Sequence, residues 1–166
     1  MSSLLHEYVA AQAERRGDAV ALVMGAEQLT YAELETASNR LARMLVQAGC
    51  DHGDRVCLFA AKAPATIVAM LATLKAGCAY VPIDVTSPAA RVARIVRSAD
   101  PAAAFVLGSA AGLVKELHDS GALTAELPIG SLDEGPVSGH SLRCSFGPQE
   151  AAEQPGDPLP RTGAAG

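Results

Sequence analysis

The sequence is poor in aromatic side chains. They make up 4% of its 166 residues and tryptophan is absent, yet 49% of the residues are hydrophobic. Cores of all-β domains depend on β-branched and aromatic residues, whereas small aliphatic side chains suit the layers between helices and a sheet. The net charge of −5 also argues against a surface for nucleic acid. Composition therefore favours one α/β domain with its own core and no nucleic-acid partner.

Metal-binding patterns are missing as well. No two cysteines have C-x-x-C spacing and the histidines are scattered among them, so we expect no metal site. Free thiols in a reducing cytoplasm are the simplest interpretation. The residues concerned are Cys50, Cys57, Cys78, Cys144, His6, His52, His118 and His140.

Targeting signals are absent from the sequence. Residues 1–7 lack the basic region followed by an apolar stretch that marks a signal peptide. No apolar run reaches the roughly 18 residues that suggest a membrane span. We therefore expect a cytoplasmic protein without membrane contact.

The most informative stretch that is present runs from Leu74 to Asp84. An apolar helix is predicted to end at Lys75, whose charge suits a helix C-terminus, and Gly77 supplies the left-handed residue that ends helices. A short buried strand is predicted over 78–81, ending at Pro82 because proline cannot donate to a sheet ladder. Such a helix–glycine–strand joint is typical of a doubly wound, mostly parallel sheet.

The rest of the chain up to residue 129 follows the same alternation. Helix caps are predicted at Thr30, with Glu33 completing a capping box, and at Ser87, with Pro88 at the first helical position. Right-handed crossovers place helices on both faces of the sheet. Helices are predicted over 4–16, 30–48, 64–75, from 88 and over 110–117, and strands over 19–23, 55–59, 103–107 and 127–129, with a hairpin arm at 28–29.

The helix that begins at Thr30 has an apolar face and a polar face. Its apolar residues recur at helical spacing and are predicted to be buried. We expect its polar residues to face water; they are Glu35, Asn39, Arg43 and Gln47.

Two segments together carry a family resemblance. Leu29-Thr30-Tyr31-Ala32-Glu33-Leu34 and the Leu74–Asp84 stretch resemble the first two core motifs of the AMP-forming adenylate ligases. That superfamily includes adenylation domains of nonribosomal peptide synthetases, acyl-CoA synthetases and luciferase-type enzymes. The resemblance implies ATP and Mg²⁺ as cofactors of the complete enzyme. It also implies an acyl-adenylate intermediate and a thiol acceptor, either coenzyme A or phosphopantetheine.

The groups that perform this chemistry are not expected in the present chain. Gly156-Asp157-Pro158-Leu159 resembles the lead-in to the family's phosphate loop, but no Ser/Thr/Gly-rich run ending in Pro-Lys-Gly follows. No lysine occurs after Lys115, and the later adenine, ribose and catalytic-lysine motifs are missing. The resemblance is good over 4–107 and fades through about 133. We therefore assign no catalytic, cofactor-binding or metal residue, and expect no cofactor on this fragment.

Two exposed features permit a chemical interpretation beside a structural one. Arg91, Arg94 and Arg97 form a basic stripe on a helix, either an anion site or, as we prefer, a solvated face. Asp84 follows a strand end, where α/β sheets place ligands, but a polar cap of the strand exit is the favoured interpretation.

A hydrolytic triad is a further possibility that we disfavour. Ser109, His118 and Asp119 are the residue types that it requires. Scattered Ser, His and Asp residues in a polar region are far more often surface residues.

The C-terminal segment has a different composition. Residues 130–166 hold seven of the fifteen glycines and five of the ten prolines, and show no apolar periodicity. We expect this tail to be disordered or loosely attached, or to be the product of a frameshift, because it buries too little surface to offset its ordering entropy.

Three functional hypotheses follow, in order of preference. The first is a truncated N-terminal part of an adenylate-forming ligase, inactive alone, whose parent activates an amino acid or another carboxylic acid. The second is one half of a split ligase whose partner is the missing remainder. The third is a non-catalytic binding module. Tyr80–Asp84 is similar to peptide synthetase domains, whereas Ser87–Arg91 resembles some acyl-CoA ligases.

Overall fold

A computed structural model describes residues 4–134 and 142–160. Its main sheet has four parallel strands in the order β4-β3-β5-β6, and an antiparallel β1–β2 hairpin lies apart from it. The strands are β1 Val20–Met24, β2 Glu27–Thr30, β3 Arg55–Phe59, β4 Ala79–Pro82, β5 Ala103–Val106 and β6 Ile129–Ser131. The helices are α1 Leu5–Arg16, α2 Tyr31–Gln47, α3 Pro64–Lys75, α4 Ala89–Ala99, α5 Ala111–Asp119 and α6 Pro148–Ala152.

Side chains of the central strand β3 alternate between two cores. Val56 and Leu58 pack with α2 and α3 on one face of the sheet. Cys57 and Phe59 pack with α4 and α5 on the other face. This period of two is the expected pattern for a strand covered on both sides. The predicted doubly wound sheet with helices on both faces is therefore confirmed.

The N-terminal cap of α2 has the predicted geometry. The Glu33 backbone N–H donates to Thr30 Oγ1 at 3.2 Å, and the Thr30 N–H donates to Glu33 Oε2 at 2.8 Å. Both donors would otherwise lack a partner within the helix. In contrast, α1 buries no residue completely, and its Leu5 is 63% exposed.

At the joint between α3 and β4, the predicted left-handed glycine is confirmed, but the predicted burial of the strand is wrong. Gly77 has φ +78°, and the N–H groups of Gly77 and Cys78 donate to Leu74 and Thr73 carbonyls in a Schellman motif. However, β4 lies at the edge of the described sheet and is only half-buried. Pro82 is its last residue and does not end the pairing, since Ile83 N–H still donates to Leu58 O. An edge strand tolerates proline because one side needs no partner.

The start of α4 also differs from the prediction. Pro88 is the N-cap and the helix begins at Ala89, so Ser87 lies one residue too early to cap it. The Ser87 hydroxyl instead donates to Asp84 Oδ2 at 3.0 Å. A side-chain acceptor within reach outside the helix explains the shift by one residue.

Residues 142–160 correct the predicted disordered tail. Phe146 is 4% exposed and stands edge-on to Phe105 at 5.9 Å between ring centroids. It fits because residue 130 is glycine: a Cβ there would lie 2.3 Å from the Phe146 ring. Composition could not reveal this anchor, because its partners Phe105 and Gly130 lie 41 and 16 residues earlier in the chain. Residues 135–141 and 161–166 of the predicted tail lie outside the described residues.

Within the described ranges, no helix combines the length and the apolar character required to cross a membrane.

Candidate functional site

A buried polar cluster joins helices α2 and α3. Lys75 Nζ lies 2.6 Å from Glu35 Oε2 and 2.7 Å from Asn39 Oδ1. The side chains of Lys75 and Glu35 are only 6% and 14% exposed, and Asn39 is 1% exposed. The prediction that Glu35 and Asn39 face water is therefore wrong. Lys75 binds the neighbouring helix in addition to standing at the end of its own.

The electrostatics of this cluster are dominated by burial. Desolvation lowers the pKa of Lys75, while the hydrogen bond and the charge of Glu35 act in the opposite direction. His6 of α1 lies close enough that burial, and then the Lys75 charge, lower the pKa of its imidazole. Since a buried charge is tolerated only with partners, the ion pair and Asn39 depend on one another.

The polar face of α2 also holds the segment that composition assigned to the loose tail. Asn39 Nδ2 donates to Gly156 O at 2.9 Å, and Arg40 Nε donates to Gln154 O at 3.1 Å. Arg43 Nε donates to Pro155 O at 3.1 Å. The Nη2 group of Arg43 donates to the Asp157 and Pro158 carbonyls, at 2.8 and 3.2 Å. Arg43 and Asn39 are therefore hydrogen-bonded to protein, whereas the sequence placed them in water.

Asp84 caps the loop that follows the C-terminal end of β4. Its Oδ1 accepts from the N–H and from the hydroxyl of Thr86 at 2.9 and 2.7 Å. The Thr86 hydroxyl, followed by the Thr86 N–H and Ser87, lowers the pKa of this exposed carboxyl, with a smaller contribution from Arg91. Asp84 thus stands where the sequence placed it and serves as a polar cap of its own loop. A carboxylate beside Arg91 also disfavours the anion-site interpretation of the exposed arginine stripe.

The carboxyl ends of β5 and β6 meet at Gly108 and Asp133. A Cβ on residue 108 would lie 3.0 Å from Asp133 Oδ2, so glycine allows the carboxylate to approach the backbone. Ser131 Oγ accepts from Asp133 N–H at 3.2 Å. Among the described residues, Asp133 Oδ2 is the buried side-chain oxygen or nitrogen that lacks a hydrogen-bond partner.

The possible triad residues are not brought together. Ser109 lies in a short 3₁₀ turn before α5, and His118 and Asp119 stand at the far end of that helix. Nine helical residues span roughly 13 Å, which is beyond hydrogen-bond reach. Asp119 Oδ2 instead accepts from Lys115 Nζ at 2.7 Å on the exposed surface.

The cysteines are free thiols, three of them buried. Burial raises the pKa of Cys57 to about 11, and a hydrogen bond with the Cys78 thiol, together with burial, raises that of Cys50. The Cys50 and Cys57 thiols are therefore protonated at neutral pH and are poor nucleophiles, whereas the hydrogen bond with Cys50 lowers the pKa of Cys78. Within residues 4–134 and 142–160, no three His, Cys, Asp or Glu side chains are grouped to hold a metal ion.

A cavity of about 630 Å³ opens between the hairpin, α2, α3 and α6. Its wall is largely apolar, and Arg40 lies at its edge beside the Gln154 carbonyl that it binds. The apolar lining residues include Leu29, Leu41, Val68, Leu132 and Ala151.

Two of the three lysines of the described residues are engaged in ion pairs, which bears on where a triphosphate could be held. Such a site requires cations and backbone N–H groups converging on one point. Lys75 is held in the buried ion pair and Lys115 in the exposed one, while Lys62 is exposed beyond the end of β3. Arg43 is engaged with backbone carbonyls.

The fold and the site together define a parallel α/β scaffold with helices on both faces, in which Asp84 caps the loop that follows β4. A family model described as AMP-binding enzyme matches residues 9–159. This chain therefore belongs to the AMP-binding enzyme family. The match reaches well beyond the fade near residue 133 that motif comparison predicted, and it includes the segment held by α2.

Similar curated proteins are peptide synthetases. Malpinin synthetase of Mortierella alpina is 39% identical over 137 residues, which cover 81% of this chain and 2% of that protein. Isonitrile lipopeptide synthase of Mycobacterium tuberculosis is 42% identical over 115 residues, covering 68% of this chain and 4% of that protein. The chain thus spans only a few per cent of the length of these relatives.

Solved structures confirm the fold. The anthranilate CoA ligase AuaEII, in complex with anthranoyl-AMP, superimposes with a TM-score of 0.79 at 20% identity, over 92% of this chain and 28% of that one. The luciferase-like enzyme of the mealworm Zophobas morio gives 0.78 at 20% identity, over 94% of this chain and 36% of that one. At this identity the likeness concerns architecture alone.

Proposed function

We propose that this chain supplies the first part of an amino-acid-activating adenylation unit. In the complete unit, a substrate carboxylate would attack the α-phosphorus of ATP, with Mg²⁺ assisting, and pyrophosphate would leave. A phosphopantetheine thiol would then take the acyl group from the acyl-adenylate, and AMP would leave. The observation that carries the proposal is the sequence likeness to peptide synthetases, 39% identity across 81% of the chain. Coenzyme A as acceptor is the alternative, because the structural neighbour AuaEII is a CoA ligase.

The part played by this chain is that of a scaffold, and we propose that it is inactive alone. Of the three lysines of the chain, Lys75 and Lys115 are engaged in ion pairs and Lys62 is exposed, so the described residues offer no set of unpaired lysines for a phosphate group. The reaction depends on electrostatic stabilisation of the transferred group, which needs such cations in place. The partner that we propose is the remainder of the adenylation unit, joined covalently or supplied as a second chain.

ATP–pyrophosphate exchange tests both parts of the proposal. The purified chain, assayed alone with each of the twenty amino acids, should show no exchange above the rate without substrate. Exchange by the chain alone would overturn the scaffold role.

A second arm tests for complementation. The separately purified remainder of a related adenylation unit is assayed with and without this chain. Exchange that needs both polypeptides and one amino acid supports the proposal. If the mixture is silent, although the two are shown to associate, amino-acid activation by this scaffold is refuted. Exchange with aryl acids alone would select the CoA-ligase alternative.

A further inference from the structure

The segment 154–158 is bound by α2 mainly through its backbone carbonyls. Five consecutive backbone carbonyls, from Gln154 to Pro158, accept hydrogen bonds from α2 side chains. One contact between the helix and the segment is different: Gln47 Nε2 donates to the Gln154 side chain at 2.8 Å. Every residue has a backbone carbonyl. Most of these contacts therefore depend on the course of the backbone and not on the side chains of the segment.

The donors are arranged along one face of α2. Asn39, Arg43 and Gln47 are spaced four residues apart, which places them in line on one side of a helix, and Arg40 is three residues from Arg43. Arg43 alone reaches three carbonyls, because a planar guanidinium presents several N–H groups in fixed directions. The two prolines at 155 and 158 restrict the segment to extended conformations, in which the carbonyls are not used by the segment itself.

The inner end of this row is fixed by the buried cluster. Asn39 Oδ1 accepts from Lys75 Nζ at 2.7 Å, so the amide is oriented with its Nδ2 toward Gly156. Glu35 Oε1 accepts a further hydrogen bond from the same Asn39 Nδ2 group at 3.2 Å. Gly156 is also tightly seated, since a Cβ there would lie 2.8 Å from the Thr36 methyl group.

We propose that the polar face of α2 is a clamp that positions the chain after Pro158, with Arg43 as its main donor and Asn39 as its anchor. Lys75 and Glu35 are positioning residues that act through Asn39. The use of this clamp in nucleotide chemistry rests on the proposed function above, because segment 156–159 resembles the lead-in to the family's phosphate loop. The clamp itself does not require that function.

The test measures position without any nucleotide. Nitroxide labels are placed at Asp157→Cys and at Glu116→Cys, two exposed sites, in a Cys144→Ser background that removes the half-buried thiol. Pulsed electron paramagnetic resonance gives the distribution of distances between the labels. The parent should show one narrow distribution, because 157 is held against α2 and 116 belongs to the folded core.

Arg43→Ala and Asn39→Asp should each widen this distribution at least about twofold, because a released segment samples many positions. Arg43→Lys should give an intermediate width, since one ammonium cannot serve three carbonyls at once. The matched control is Arg94→Ala, which removes an exposed arginine from α4 on the opposite face of the sheet. Its distribution should equal that of the parent.

The melting temperature of Arg43→Ala should stay close to that of the parent, which separates positioning from general stability. A narrow distribution in Arg43→Ala would overturn the clamp, as would equal broadening in Arg94→Ala. If Asn39→Asp fails to fold, the variants at the half-buried Arg43 decide alone. Because no ATP is used, failure of the clamp and failure of the proposed function are observed in separate experiments.

Discussion

The buried ion pair between Lys75 and Glu35 allows a prediction with a built-in control. Lys75→Met removes the ammonium but leaves a largely buried carboxylate and the Asn39 Oδ1 without their donor. Removing one member of a buried pair typically costs about 3–5 kcal/mol, because the remaining charge is uncompensated. We expect the lower end, about 3 kcal/mol, since Glu35 keeps 14% of its side chain in contact with solvent.

The control is a second lysine–carboxylate pair with nearly the same length and different burial. Lys115 Nζ lies 2.7 Å from Asp119 Oδ2, compared with 2.6 Å in the buried pair, but these side chains are 44% and 65% exposed. Exposed helix pairs contribute about 0.5 kcal/mol or less. Lys115→Met should therefore change the free energy of unfolding far less than Lys75→Met does.

The assay is equilibrium unfolding in urea at neutral pH, with the midpoint and slope fitted for each variant. The double variant Lys75→Met, Glu35→Leu should be more stable than Lys75→Met alone, giving a coupling energy of about 2 kcal/mol. Burial penalises the charged form of Lys75, as the lowered pKa of its ammonium shows. The intact ion pair therefore stabilises the fold little more than two apolar side chains at the same positions would. Equal losses in Lys75→Met and Lys115→Met, or no coupling in the double variant, would refute this reasoning.

Three other changes give separate outcomes. Thr30→Ala should cost about 1 kcal/mol in urea unfolding, because the Glu33 N–H loses its acceptor; an unchanged midpoint would contradict the capping role. Gly130→Ala should cost about 1–3 kcal/mol, since the new methyl group meets the Phe146 ring. Its matched control Gly147→Ala, where the nearest atom is 3.5 Å away, should be tolerated. The Cys57 thiol, with its pKa raised to about 11, should resist alkylation at pH 8 until the protein is unfolded; rapid labelling of the native chain would contradict its burial.

Local signals allowed much of the fold to be predicted from the sequence. The capping box at Thr30 and the left-handed Gly77 each depend on partners within five residues, so the pattern of neighbouring letters is sufficient. The strand over 55–59 was predicted because it is a short apolar run bounded by turns. The one-residue shift at the start of α4 arose because Ser87 finds its acceptor in Asp84.

The clamp residues were missed for the opposite reason. Asn39 and Arg43 are polar residues on the face of an amphipathic helix opposite its apolar stripe, and such residues normally face water. Their partners, Gly156 and Asp157, lie 117 and 114 residues away. No periodicity within one helix can report a contact at that separation. A weak signal was present in α3, where Lys75 is a lone charge at the end of an otherwise apolar helix.

The position of α2 explains why residues 142–160 are ordered despite their composition. A high content of glycine and proline predicts disorder for a segment that must bury its own apolar surface. This segment instead packs on elements that are already folded. Phe146 inserts beside Phe105, and α2 supplies donors for the backbone that follows. The ordering entropy is then offset by a preformed surface. A rule that predicts disorder from glycine and proline content assumes that a segment must fold by itself, and it fails for a segment that packs on a folded domain. The family match through residue 159 is consistent with a segment that belongs to the scaffold.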